Sequence, residues 1–277
     1  MTLADPAFRV YRVRRRTHPA TKYEPRAEAP GSARSVGLAR TISKMGYCSR
    51  SQAAELIAAG RVRLNGVVRR NVEAPVRPGQ DKIEVDGQEI RAAEKAYWML
   101  NKPRGVVTTA SDEKGRATVY DCMGEAMSEA RSWLAPVGRL DKASEGLLLL
   151  TNDSEWAARV LDPGGHVAKT YHVQVAALAD AALLEALRRG VREGSDFLRA
   201  ERVRELRRGE RNSWLEVVLH EGKNRQIRRM LEALGVEVLR LVRVAIGGLE
   251  LGDLAKGKSR KLSAAEKAAV ESWKRTR

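Results

Sequence analysis

Apolar positions along this chain switch between a period of two and a period near 3.6, and the switches mark the elements. Leu147–Leu150 is an unbroken apolar run bounded by Gly146 and by Thr151-Asn152-Asp153, which fits a strand buried on both faces. Lys169-Thr170-Tyr171-His172-Val173-Gln174-Val175 alternates, so one face of a half-buried strand carries Tyr171, Val173 and Val175. Further strands are expected at Leu198–Leu206, Trp214–Leu219 and Val236–Ile246, and a pair at Tyr97–Leu100 and Val106–Thr109 around a turn at Asn101–Gly105. Helical spacing appears at Trp156, Ala157, Val160 and Leu161, behind Ser154 as a cap and ended by Pro163-Gly164-Gly165. It recurs at Ala181–Arg189, and from about Asn224, where Ile227, Met230, Leu231 and Leu234 fall in one sector at about 100° per residue. Arg225 and Arg229 project to the opposite side of that helix. Arg228 sits at the sector's edge, where a long side chain can reach inward.

A smaller module precedes these elements. Leu38, Ile42 and Met45 have helical spacing, and Ser49-Arg50-Ser51-Gln52 is a capping box opening a second helix that stops at Gly60. Val62-Arg63-Leu64, Asn65-Gly66 and Val67-Val68 read as a hairpin with a two-residue turn, followed by a short strand at Ile83–Val85. The pattern divides the chain into a basic, proline-bearing arm (1–36), this module (37–91), a polar linker (92–95), a large domain (96–262) and a basic C-terminal tail (263–277).

Charge narrows the partner. The 277 residues include 51 Lys and Arg against 35 Asp and Glu, a formal net charge of +16. A surplus of this size favours a polyanion, nucleic acid first, because each phosphate contact releases counterions. No apolar run is long enough for a membrane span. Cys48 and Cys122 are the only cysteines, and no His/Cys cluster has metal-ligand spacing, so neither a metal nor a disulfide framework is expected and a reduced cytoplasm fits.

The stretch with most chemical character is Val137–Asp153, VGRLDKASEGLLLLTND, which sets Asp141 between Arg139 and Lys142 in a tight loop leading into the buried strand. A rigid scaffold can hold one acid in place there. From spacing alone Asp141 reads equally well as a surface turn residue neutralised by its neighbours. The stretch resembles the catalytic-aspartate motif of the RsuA/Rlu-type pseudouridine synthases, which modify ribosomal RNA. The resemblance continues in order through Leu100–Val107, Lys169–Val175 and Trp214–Leu262, and residues 37–91 resemble the alpha-L RNA-binding motif.

The resemblance implies an α+β fold: a small alpha-L domain, then a mixed, largely antiparallel sheet with flanking helices. It implies Asp141 as catalytic carboxylate, Tyr171 against the target base, Arg228 paired with the aspartate, and Leu241 packing the active site. These are expected to meet in one cleft between the small module and the large domain. Arg50, Arg61, Arg63, Arg69 and Arg70 are the matching RNA-binding candidates of the module; Lys102, Arg139, Arg225 and Arg229 are those of the large domain. Each alone is also readable as a solvated surface charge. The expected partner is ribosomal RNA, large-subunit RNA favoured, or a ribosome-assembly particle. No cofactor, metal or membrane is expected, and a monomer is the default. A non-catalytic rRNA-binding or assembly protein would need only the basic surface and the module. A nuclease or glycosidase would need a metal site or a second acid near Asp141, for which Glu145 and Asp153 are the sequence neighbours.

Overall fold

The computed structural model describes residues 36–110 and 112–271. The arm expected over residues 1–36 lies outside the described residues except for Val36, as does the end of the chain beyond 271.

The first module comprises β1 (Val36–Gly37), α1 (Leu38–Lys44), α2 (Arg50–Ala58), β2 (Val62–Leu64), β3 (Val67–Val68), β4 (Pro75–Val76), β5 (Ile83–Val85) and β6 (Gln88–Glu89). The capping box of α2 is present. The Gln52 amide donates to Ser49 Oγ at 3.2 Å and the Ser49 amide donates to Gln52 Oε1 at 3.0 Å, so each side chain satisfies a free helix donor. Asn65 and Gly66 both take positive φ, as a two-residue turn matching strand twist requires. Leu38, Ile42, Ile57, Val62, Val76 and Val85 close a core of the module's own.

The large domain continues with β7 (Tyr97–Lys102), α3 (Gly124–Ala130), β8 (Ala135–Val137), β9 (Glu145–Thr151), α4 (Ser154–Leu161), β10 (Lys169–Val175), α5 (Ala181–Arg189), β11 (Val191–Glu193) and β12 (Asp196–Leu198). It ends with β13 (Arg202–Arg208), β14 (Ser213–Leu219), α6 (Gln226–Ala233), β15 (Val238–Ile246), β16 (Leu249–Glu250), β17 (Ser259–Lys261) and α7 (Ala264–Glu271). Its main sheet runs β13-β14-β10-β15-β9-β7-β17. Every pairing is antiparallel except β15 with β9. Strand β9 is buried along its whole length, which explains its unbroken leucines.

Several elements differ from expectation for local reasons. Val106–Thr109 is not a strand; only Val107 forms a bridge, to Thr118. Helix α4 is capped by Asp153, not Ser154: its carboxylate accepts from the amides of Glu155 and Trp156 and also takes the Tyr97 hydroxyl at 2.7 Å. The strand expected from Leu198 begins at Arg202, because Val191–Leu198 folds back as the β11–β12 hairpin. The segment 263–277, expected as a basic tail, carries α7 through Glu271, with Val270 fully buried beside Leu249 and Trp156. The linker is tied down as well. Ala93 donates to the Met45 carbonyl at 2.9 Å, and Asn152 bonds the Ala96 amide and the Glu94 carbonyl.

Candidate active site

Asp141 lies in the turn that feeds β9. The Ser144 amide closes this turn on the Asp141 carbonyl at 2.9 Å. The loop is also held from the segment after β7: Gly105 donates to the Lys142 carbonyl at 2.8 Å and Thr108 Oγ1 to the Leu140 carbonyl at 2.8 Å. At the foot of β9, Gly146 has φ +102° and pairs with Arg243 of β15, where a Cβ would overlap the Arg243 carbonyl oxygen. Only glycine lets the two parallel strands approach there.

Asp141, Tyr171, Arg228 and Leu241 line one cleft of about 560 Å³, within the ~300–1,000 Å³ range of small-molecule sites. Tyr171 and Leu241 come from adjacent strands β10 and β15, and Arg228 comes from α6. All lining residues fall between Val137 and Ile246, so the cleft belongs to the large domain and not to a seam with the small module as expected. Asp153 caps α4, and buried Glu145 is bound by Arg240 Nε at 2.9 Å and Lys256 Nζ at 2.5 Å. Burial works against the charge of Glu145, but these two cations outweigh it and hold its carboxyl below the usual range. Neither acid lines the cleft.

The expected ion pair between Arg228 and Asp141 is absent among the described residues. Arg228 instead donates from Nη2 to the Ala143 carbonyl at 3.2 Å and from Nη1 to the Val238 carbonyl at 3.4 Å, and its buried Nε has no partner among the described residues. Burial lowers its pKa, with the Arg225 charge acting the same way, while Asp141 opposes the shift. The aspartate is therefore felt electrostatically without direct contact.

Lys102 is a correction. It was expected on the RNA surface, yet it is 0% exposed, with Nζ donating to the carbonyls of Ser144 at 2.8 Å and Pro103 at 3.1 Å. Burial pushes its pKa down to about 8, against the opposing pull of Asp141, Cys122 and Glu145. It underlies the catalytic-motif loop and cannot reach a phosphate. Arg229 is a second correction. It does not point free into solvent but pairs with Glu193 and, at 2.7 Å, with Asp196, stapling the β11–β12 hairpin to α6.

Arg139 and Arg225 are exposed at the cleft rim. Arg225 stands at φ +49° just before α6, which begins at Gln226 and not at Asn224. In the small module Arg50, Arg63 and Arg69 are exposed, Arg61 pairs with Asp86, and Arg70 donates to the Ala58 carbonyl at 2.8 Å. Two cleft cations lie inside the stretches that resemble the family but are not among the expected site residues. Lys169 donates to the His220 carbonyl at 3.3 Å, and burial, with the Arg243 charge, lowers its pKa to about 8. Arg243, 5% exposed, donates from Nε to the Leu147 carbonyl at 2.7 Å. Both lie at even spacing from an expected site residue, Lys169 two before Tyr171 and Arg243 two after Leu241. Period-two reasoning alone could have put them on the cleft wall.

The family model for RNA pseudouridylate synthase matches residues 96–233, and that of the S4 domain matches residues 36–82. The chain belongs to the RNA pseudouridine synthases that carry an N-terminal S4 domain, and it is an isomerase of that class. It is 39% identical over 228 residues to the ribosomal large subunit pseudouridine synthase B of Bacillus subtilis (strain 168), covering 82% of this chain and 91% of that one. It is 37% identical over 236 residues to an uncharacterized RNA pseudouridine synthase of Aquifex aeolicus (strain VF5), covering 85% and 93%. A crystal structure of a pseudouridylate synthase, 28% identical, aligns with a TM-score of 0.58 over 85% of this chain and 99% of that one. Among the described residues no helix is long and apolar enough to cross a membrane, and no group of three His, Cys, Asp or Glu is disposed to hold a metal.

Proposed function

We propose that this enzyme isomerises a specific uridine of ribosomal RNA, of the large subunit, with Asp141 as the catalytic carboxylate. The observation that carries this is the convergence of Asp141, Tyr171, Arg228 and Leu241 on one cleft from four separate stretches of sequence. The large-subunit reading follows the name of the Bacillus relative.

The reaction breaks the uridine N1–C1′ bond, turns the base, and rejoins it through C5. The uridine must leave its stack, which costs a few kcal/mol and calls for a replacement surface. Tyr171 supplies a ring for that purpose on the cleft wall. A carboxylate must stand beside the sugar, and Asp141 lines the cleft with the Arg228 and Lys102 charges near it. Water must be excluded while the base is detached, a task suited to Leu241, Leu140 and Ile227 on the same walls. No redox step or phosphoryl transfer occurs, so the chain's own groups can supply the chemistry. Arg50, Arg63 and Arg69 on the small module, with Arg139 and Arg225 at the rim, would meet phosphates.

The test is a position-resolved pseudouridine map of rRNA from cells with the gene, without it, and complemented by Asp141→Asn. One site should vanish on deletion and stay absent in the mutant arm, while the purified mutant keeps RNA affinity within a few-fold. A mutant that restores the site would remove Asp141 from the chemistry. No lost site together with disturbed ribosome assembly would support a binding role on rRNA instead.

A further inference from the structure

Arg243 is anchored at one end and unpartnered at the other. Its Nε donates to the Leu147 carbonyl at 2.7 Å, while its buried Nη2 has no hydrogen-bond partner among the described residues. The residue lines the cleft and is 5% exposed, so water cannot freely satisfy that donor. A buried, unsatisfied charged donor is expensive and rarely kept without an occupant. Its backbone is fixed on both sides, opposite Tyr171 of β10 and opposite Gly146 of β9. Directly opposed residues in a sheet are close neighbours. A base lying on the Tyr171 ring therefore brings its polar edge into the reach of the Arg243 fork.

We infer that Arg243 is a catalytic residue that donates from Nη2 to a uracil carbonyl oxygen and stabilises the negative charge that gathers on the base. This rests on the assignment of the cleft as the uridine site. When the N1–C1′ bond breaks, its electron pair leaves with the base, and the resulting uracil anion spreads charge over N1, O2 and O4. If the carboxylate instead adds at C6, the electrons of the C5–C6 double bond move toward O4. On either route charge rises on a carbonyl oxygen, where a fixed donor in a water-poor cleft stabilises it most. The overall isomerisation balances without a co-reactant: C1′ changes partner from N1 to C5, C5 loses its proton and N1 gains one. Turning the base about its N3–C6 axis puts C5 where N1 stood and exchanges the positions of O2 and O4. One donor at a fixed place thus faces a carbonyl before and after the turn. Lys169, on the same wall, adds positive potential.

The experiment uses full-length enzyme and an unmodified rRNA transcript carrying the site found by the map, made with uridine or with 5-fluorouridine. Fluorine withdraws electrons and makes the base a better leaving group. Arg243→Met should lower the single-turnover rate on uridine by about 10²-fold, the scale of losing one oxyanion donor, with the RNA Kd within a few-fold. The deficit in glycosidic cleavage should shrink several-fold on the fluorinated transcript, which a merely structural defect would not do. Arg243→Lys keeps the charge and the reach toward Leu147 and should fall less; it serves if Met disrupts folding. Equal deficits on both transcripts, or a wild-type rate in Arg243→Met, overturn the inference. An inert Asp141→Asn beside a fully active Arg243→Met sinks the Arg243 role alone, whereas an active Asp141→Asn sinks the reading of the site.

Discussion

The ammonium of Lys102 is the cleanest place to measure what a buried charge beneath the Asp141 loop costs the fold. It is fully buried, bonded to two carbonyls, and its pKa is lowered from 10.5 to about 8, first by burial. The folded chain thus releases this proton at a lower pH than the unfolded chain does. Between the two pKa values the unfolded state binds more protons, so stability rises with pH through that window. At low pH the penalty is the full shift, about 3 kcal/mol at 1.36 kcal/mol per unit. Integrating from about pH 6.5 to about pH 9.5, the wild type should recover about 2 kcal/mol of it from Lys102. Lys169, with a similar shift, adds to the same slope. Cys48, raised to about 12 by burial, opposes it above the unfolded thiol pKa. The observable is therefore the difference between wild type and Lys102→Met in urea unfolding at the two pH values. Lys102→Met leaves the carbonyls of Ser144 and Pro103 unpaired, so its absolute stability is a mixture; the pH slope isolates the proton. The wild type should gain about 2 kcal/mol more than the mutant on going to the higher pH. Equal slopes would mean that the buried amine is already neutral at the lower pH or freely hydrated, and the electrostatic account of the cleft floor would fail.

Two further outcomes follow from the geometry. Gly146→Ala forces a side chain into both a φ of +102° and the Arg243 carbonyl; a loss of about 3 kcal/mol or more in urea unfolding is expected, and a loss under about 1 kcal/mol would show that the β9–β15 approach is slack. Replacing the exposed Arg63 and Arg69 by Gln should weaken RNA binding and reduce the slope of log Kd against log salt by about 1 for each phosphate left unneutralised, whereas Arg61→Gln, which removes a charge already paired with Asp86, should change that slope less; equal effects in salt titrations would refute the distinction.

What the chain's pattern revealed was local. The Ser49–Gln52 box, the Asn65-Gly66 turn and the leucines of β9 are written in neighbouring residues, and each formed where the pattern put it. What escaped it was set by partners far along the chain. Lys102 ends a strand lying between β9 and β17, where burial of both faces leaves no alternation to betray a buried charge. Arg229 looks solvent-facing on its own helix, and only the β11–β12 hairpin, more than thirty residues earlier, brings Glu193 and Asp196 to it. The meeting of Asp141, Tyr171, Arg228 and Leu241 was legible only through family resemblance, since no periodicity reports the order of strands in a sheet. That the cleft lies wholly within the large domain was not legible at all.

The cations around Asp141 share one kind of anchor. Lys102 is fixed by Ser144 and Pro103, Lys169 by His220, Arg228 by Ala143 and Val238, and Arg243 by Leu147, in every case through backbone carbonyls. Several arginines outside the cleft sit instead on carboxylates: Arg240 on Glu145, Arg204 on Glu216, Arg229 on Glu193 and Asp196. A carbonyl fixes a cation's position without cancelling its charge; a carboxylate does both. The cleft therefore keeps a positive potential that a salt-bridged wall would lose, while burial first, with the Arg243 charge acting the same way, depresses the pKa values of Lys102 and Lys169. Such a wall does two things at once: it adds to the attraction for a phosphate backbone and it receives charge from a departing base. Exchanging one of these carbonyl-held cations for a neutral side chain should slow the chemical step far more than it weakens RNA binding, while breaking an acid-held pair such as Arg204–Glu216 should cost stability and leave the chemistry alone.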